Sequence, residues 1–167
     1  MLYTCKVGVD WGDTAKYLNL FFYDRKLYLF DTFSGFDASD IEFEKKSGVM
    51  LSTMESVYTN RSTSMNDVMD RMFFPKQCIM KPGYFPESLS GLEDTFSLVH
   101  IDCDLQRPIM SALEYFYPRL SVGGFAIVHD YVNPNFPGVR QTVHDFSEQY
   151  NAPFVPDLMC GGAVFVK

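Results

Sequence analysis

Asp102, Asp104, His129 and Asp130 stand at the ends of two apolar runs and carry the chemistry that this sequence offers. The first run, 96–101, reads Phe-Ser-Leu-Val-His-Ile and leads into Asp102-Cys-Asp104. The second, 125–128, reads Phe-Ala-Ile-Val and leads into His129-Asp130-Tyr131. Both have strand length and a helix-length segment separates them, which predicts one βαβ unit with carboxylates at the carboxyl ends of two parallel strands. Ligands of open α/β sheets bind outside those ends. Neighbouring strands lie ~4.8 Å apart, so Asp102 and Asp130 on adjacent strands would share one cation. A single acid there as often caps the following helix or faces water; the whole set favours a site.

Asp31 ends another apolar run, 26–30. An acid at the end of a second strand is placed to accept hydrogen bonds from both hydroxyls of a ribose, a geometry that serves several adenosine cofactors. The loop after it, Thr32-Phe33-Ser34-Gly35-Phe36-Asp37, supplies aromatics that either wall an adenine or belong to the core. Gly8 and Gly12 form a turn between a first strand, 3–9, and a helix beginning at Asp13 or Thr14, a shape that lets backbone N–H groups approach a charged ligand. The spacing is G-x-x-x-G rather than the G-x-G-x-x-G of dinucleotide sites, which argues against a nicotinamide oxidoreductase. Gly83, in Pro82-Gly-Tyr-Phe-Pro86, either admits a ring or only makes the turn.

These positions need a scaffold. Strands are expected at 3–9, 26–30, 77–81, 96–101, 125–128, 154–155 and 163–166, with helices after Asp13, at 49–58, 66–74 and 105–120, and over a segment ending near Tyr150. Gly123-Gly124 would stop the helix at 105–120. Residues 37–63 are polar and charged, read least clearly, and suit a lid. The last two strands, joined through Cys160-Gly-Gly162, would pair antiparallel. Alternating strand and helix followed by such a pair predicts an α/β class: a Rossmann-like, doubly wound, mostly parallel sheet with one antiparallel strand near the C-terminus.

The 167 residues suit a single domain, 1–167, with a real core. A net charge of −7 argues against nucleic acid as a partner. Cys5, Cys78, Cys103 and Cys160 are scattered without a Cys-x-x-Cys pair, as expected of reduced thiols in a cytoplasmic protein. No run approaches the ~20 apolar residues of a membrane span, so no membrane partner is expected. His100, inside a strand, and His144, on a helix face, read as structural.

Residues 27–37, 83–88, 100–105, 115–120 with Gly123-Gly124, and 129–131 followed by Gly138-Val-Arg140 together resemble the macrocin O-methyltransferase family, over almost the whole chain. The resemblance implies a class I methyltransferase fold and S-adenosylmethionine- and metal-dependent methylation of sugar hydroxyls in antibiotic or polysaccharide pathways. It implies that Asp31, with Thr32 and Phe33, holds the ribose side of S-adenosylmethionine, that Gly8 faces its methionine part with Asp102 close by, and that Gly83, Tyr84 and Phe85 face the adenine. Asp102, His129 and Asp130 match the family's ligands for a divalent cation, Mg²⁺ or Mn²⁺. Asp102 is the implied catalytic residue, assisting proton removal from the acceptor hydroxyl.

This sequence departs from the family at Lys6, where Glu is usual beside the cofactor's amino-acid end, at Asp10-Trp11, at His129 in place of an Asp, and at Gln106 in place of Tyr. The resemblance therefore implies weaker cofactor binding, restored in part by Lys6→Glu. The chain also starts at the first strand, without the preceding helices that in relatives cover the site and build homo-oligomers. The expectation is a sugar O-methyltransferase; the alternative is a truncated or decayed methyltransferase fold without catalysis.

Overall fold

The computed structural model describes residues 2–50, 62–157 and 159–167. In chain order its elements are β1 (Tyr3–Val7), α1 (Asp13–Phe21), β2 (Leu27–Asp31), α2 (Ala38–Lys46), α3 (Met65–Asp70), β3 (Cys78–Pro82), β4 (Phe96–Ile101), α4 (Gln106–Phe116), β5 (Leu120–Val128), α5 (Pro137–Tyr150), β6 (Phe154–Asp157) and β7 (Gly162–Val166). The strands form one sheet in the order β3-β2-β1-β4-β5-β7-β6. All pairs are parallel except those of β7, which runs antiparallel to β5 and β6. This is the doubly wound sheet with one reversed strand that the pattern of apolar runs predicts.

The order reverses at β1, whose two neighbours are β2 and β4. Chain crossovers leave in opposite directions from that point, opening a crevice at the strand C-termini. One face of the sheet carries Cys5, Val7, Tyr28, Phe30, Val99 and Ile101 into the main core against α4 and α5. The other carries Leu27 and Leu29 against Ala15 and Leu18 of α1 and Val68 of α3. Alternation along β1 then puts Lys6 on the α1 side of the sheet, level with Leu29 of β2 and His100 of β4.

The structure differs from the sequence expectation in the 105–120 helix, at Gly123-Gly124, in the 66–74 helix and at the start of the 37–63 region. The helix expected at 105–120 ends at Phe116; Tyr117–Arg119 form a single 3-10 turn and Leu120 already pairs with Phe96. Pro118 accounts for this, since it has no N–H to continue the helix. Gly123 and Gly124 therefore lie inside β5 rather than at a helix stop. The register shifts there, and a Cβ on Gly124 would lie 2.9 Å from the Ser121 carbonyl oxygen. The helix expected at 66–74 is the shorter α3. The one expected at 49–58 falls almost entirely on 51–61, outside the described residues. The region expected to be a lid begins with an ordered helix, α2, capped by Asp37, whose carboxylate accepts from the Ser39 N–H at 2.8 Å.

Candidate active site

A pocket opens at the C-terminal ends of β1, β2 and β4, where the sheet order reverses. Gly8, Asp31, Thr32, Gly83, Tyr84, Phe85 and Asp102 all line it. Gly8 has φ +77°, and a Cβ there would overlap the backbone carbonyl of Asp102. Glycine is required because the turn after β1 packs directly against the end of β4, which brings Asp102 to the mouth of that turn.

Asp31 is held more tightly than a free ribose acceptor. Its Oδ2 accepts the backbone N–H groups of Val9 (2.6 Å) and Asp10 (3.0 Å), and its Oδ1 accepts that of Phe33 (2.8 Å). The carboxylate thus ties the β1 turn to the β2 loop while Asp31 lines the pocket. Thr32 lines the pocket but uses its hydroxyl to close the turn on the Gly35 carbonyl. Phe33 does not line the pocket. It packs into the α1-side cluster, and Phe36 forms the pocket wall instead. Phe85 presents one edge to the pocket while its ring packs against Phe30 and Phe116, at 5.7 and 6.0 Å between centroids.

Sequence reasoning missed a second wall. Asp40, on α2, lines the pocket and accepts from the Tyr84 hydroxyl at 3.0 Å; Arg107 lies 3.2 Å from the same oxygen. Burial raises the Asp40 carboxyl above its ordinary range in spite of both partners, and raises the Tyr84 hydroxyl to about 12 with Asp40 adding to the effect. One turn further along α2, Glu44 is buried and accepts from the backbone N–H of Gln106.

The cation-site candidates come together beside this pocket. β4 and β5 are adjacent, and Asp102, His129 and Asp130 each offer a ligand atom within 4.8 Å of the others. His129 Nδ1 lies 3.1 Å from Asp102 Oδ1 and 3.0 Å from Asp130 Oδ2. That nitrogen is buried yet forms no aligned hydrogen bond, so it points between two carboxylate oxygens without a directed partner. The Asp102 carboxylate, then that of Asp130, raises the imidazole to about 10 against the opposing effect of burial. Two carboxylate oxygens and one imidazole nitrogen converging on one point are a donor set that fits a divalent ion. Asp104 and Asp130 follow their strands in the left-handed conformation, each at φ 61°, which Asp tolerates better than most residues.

Lys6 completes the cluster from below. Its side chain is 1% exposed and its Nζ lies 2.8 Å from Asp102 Oδ2. Burial alone would raise the Asp102 carboxyl, but the Lys6 ammonium, with His129 adding to it, holds it well below the usual carboxylate range. Lys6 does not line the pocket, and its charge is paired with Asp102. His100, its neighbour in register, is buried and desolvation lowers it to about 3, so it stays neutral. His144 lies on α5 and shares a hydrogen bond with the Tyr131 hydroxyl at 3.0 Å, away from the cluster.

A sequence profile of the macrocin O-methyltransferase (TylF) family matches residues 16–155. The chain belongs to the macrocin O-methyltransferase family. Among relatives, it is 29% identical over 151 residues to the 8-demethyl-8-(2,3-dimethoxy-alpha-L-rhamnosyl)-tetracenomycin-C 4'-O-methyltransferase of Streptomyces olivaceus, covering 83% of this chain and 50% of the relative. It is 26% identical to the mycinamicin III 3''-O-methyltransferase of Micromonospora griseorubida, covering 76% of this chain and 51% of that one. The chain thus spans about half the length of these relatives. The fold matches the O-methyltransferase NovP with a TM-score of 0.77 at 20% identity, over 100% of this chain and 72% of NovP. It matches the calicheamicin methyltransferase CalS11 at 0.69 and 19% identity, over 99% of this chain and 72% of CalS11.

Proposed function

We propose that this chain is an S-adenosylmethionine-dependent, divalent-metal-assisted O-methyltransferase that acts on a sugar hydroxyl of a natural product or polysaccharide. One observation carries the reading. Six aspartates line the pocket, no Lys or Arg does among the described residues, and one of the six, Asp102, also belongs to the carboxylate–imidazole cluster. An acidic pocket favours a ligand with a sulfonium and an ammonium, and opposes a dinucleotide with its pyrophosphate.

Asp31 and the backbone amides it gathers would seat the ribose, with Tyr84 and Phe85 against the adenine. Asp102 stands between donor and acceptor. Lys6 keeps it ionised, so it accepts a hydrogen bond from the acceptor hydroxyl and orients that oxygen toward the methyl group. Its low proton affinity makes it a weak base, so it takes the proton as transfer completes. The hydroxyl oxygen gains the methyl carbon as the carbon–sulfur bond breaks, leaving a neutral thioether; alignment of the two reactants supplies much of the rate. Asp102, His129 and Asp130 would hold a divalent cation, which when bound lowers the pKa of the hydroxyl as a Lewis acid. An imidazole in that set shifts preference from Mg²⁺ toward Mn²⁺.

Calorimetric titration with S-adenosylmethionine tests the cofactor, and titration of Mn²⁺ and Mg²⁺ into wild type and His129→Asp tests the cation. We expect saturable cofactor binding and a Mn²⁺ preference that His129→Asp moves toward Mg²⁺. Absence of cofactor binding by a folded protein sinks the first part; identical weak binding of both ions by both proteins sinks the second. A methyltransferase fold without catalysis is the competing reading, and it draws support from Lys6 already occupying one oxygen of Asp102. Cofactor binding without methyl transfer to any glycosylated acceptor would select it.

A further inference from the structure

The Lys6–Asp102 pair has a consequence for the cation site itself. An ammonium with 1% of its side chain exposed must be paired, and Asp102 is the carboxylate that pairs it. Its neighbours in register, Leu29 and the neutral His100, offer no charge. Asp102 Oδ2 is therefore committed to Lys6, and Oδ1, on the other side of the same carboxylate, faces His129. Asp130 is fixed independently: its Oδ1 accepts from the Asn133 side-chain amide at 2.8 Å while its Oδ2 faces His129.

We propose that Lys6 is a built-in cation of the active site. It restricts Asp102 to presenting one oxygen and cancels one of the two carboxylate charges, so that it competes electrostatically with the divalent ion and sets the site's affinity low. This rests on the reading of Asp102, His129 and Asp130 as cation ligands. Lys6 reaches neither the pocket nor an acceptor; it acts through Asp102 and is a positioning residue. With the Lys6 ammonium set against the two carboxylates, the site binds a divalent ion only weakly and exchanges it readily. Without Lys6 both charges and both Asp102 oxygens become available.

The test is direct Mn²⁺ binding, followed by the loss of the free-ion electron paramagnetic resonance signal, in wild type, Lys6→Gln, Lys6→Met and Asp130→Asn. Gln keeps an N–H donor for Asp102 Oδ2 and removes only the charge, so it separates electrostatics from folding; Met removes both. Melting curves recorded alongside identify any variant that does not fold. We expect Lys6→Gln to bind Mn²⁺ at least tenfold more tightly than wild type, with Lys6→Met changing in the same direction. Equal or weaker binding by a folded Lys6→Gln, with wild-type binding that Asp130→Asn abolishes, overturns the role of Lys6 and leaves the cation site standing. Binding that no variant changes, Asp130→Asn included, overturns the cation site and this proposal with it.

Discussion

The Glu44 side chain accepts a hydrogen bond from the backbone N–H of Gln106 at 2.7 Å, and so the second helix caps the fourth. Leu105, the N-cap residue of α4, has no side-chain acceptor to offer. The other Glu44 oxygen stands against Gly138 in the first turn of α5, where an added Cβ would lie 2.8 Å from it. One buried carboxylate thus caps α4 and packs against the first turn of α5, holding α2 where Asp40 walls the pocket.

Removing that carboxylate should destabilise the fold. Glu44→Ala leaves the Gln106 N–H buried without an acceptor, and a hydrogen bond to a charged group contributes roughly 1.5–3 kcal/mol. Glu44→Gln keeps an acceptor and should lose about half as much. Urea unfolding of the two variants measures the difference; equal stability of Glu44→Ala and wild type would show that water replaces the cap.

Asp31 should prove structural as well as ligand-binding. Its carboxylate gathers three backbone N–H groups from the β1 turn and the β2 loop. Asp31→Ala should cost roughly 2 kcal/mol of stability in addition to weakening S-adenosylmethionine binding. Asp31→Asn must turn an NH₂ toward at least one of those donors, so it should rescue little. Denaturant unfolding run beside calorimetry checks both effects; lost affinity at full stability would return Asp31 to a purely ligand-facing role.

Stability of the metal-free protein should vary with pH in two separate windows. Desolvation, with Lys6 adding to it, holds His100 at about 3, far below an unfolded histidine near 6.5. The folded state therefore binds fewer protons than the unfolded one between those values. Stability from this group is complete above about 6.5 and is lost as pH falls toward 3, by roughly 5 kcal/mol. His129, raised to about 10, acts in the opposite sense: its contribution is present below about 6.5 and is lost as pH rises through 10. A stability maximum near pH 6–7 is expected in chelator, and His100→Leu should flatten the acid side alone. An unchanged acid slope in His100→Leu would assign it to the carboxylates instead.

The sheet was legible because its strands announce themselves as apolar runs, three of which (β2, β4 and β5) lead into acids, and the structure supplies the adjacency of β4 and β5 that a shared cation requires. α2 was not legible, because its buried residues are Asp40 and Glu44, spaced four apart. A helix that buries acids shows no apolar stripe, and only Asp37 as its cap gave a local sign. The Asp102–His129–Asp130 grouping was readable from strand ends, whereas the partner of Lys6 was not. A lysine inside an apolar strand shows that something must pair it, but not which of the surrounding acids does.

That pairing reverses one expectation. The family resemblance implies that Lys6, in place of the usual Glu, weakens cofactor binding and that Lys6→Glu restores part of it. In the structure Lys6 does not line the pocket, and its Nζ lies on Asp102 Oδ2. Glu at position 6 would put a second buried carboxylate against Asp102 in place of its cation. Breaking a buried pair by removing one partner costs about 3–5 kcal/mol, and introducing a like charge adds to that. We expect Lys6→Glu to lower the melting temperature sharply in chelator and to bind S-adenosylmethionine no better than wild type, with part of the stability recovered when Mn²⁺ is added. A stable, metal-free Lys6→Glu protein with tighter cofactor binding would mean that Lys6 points toward the cofactor after all.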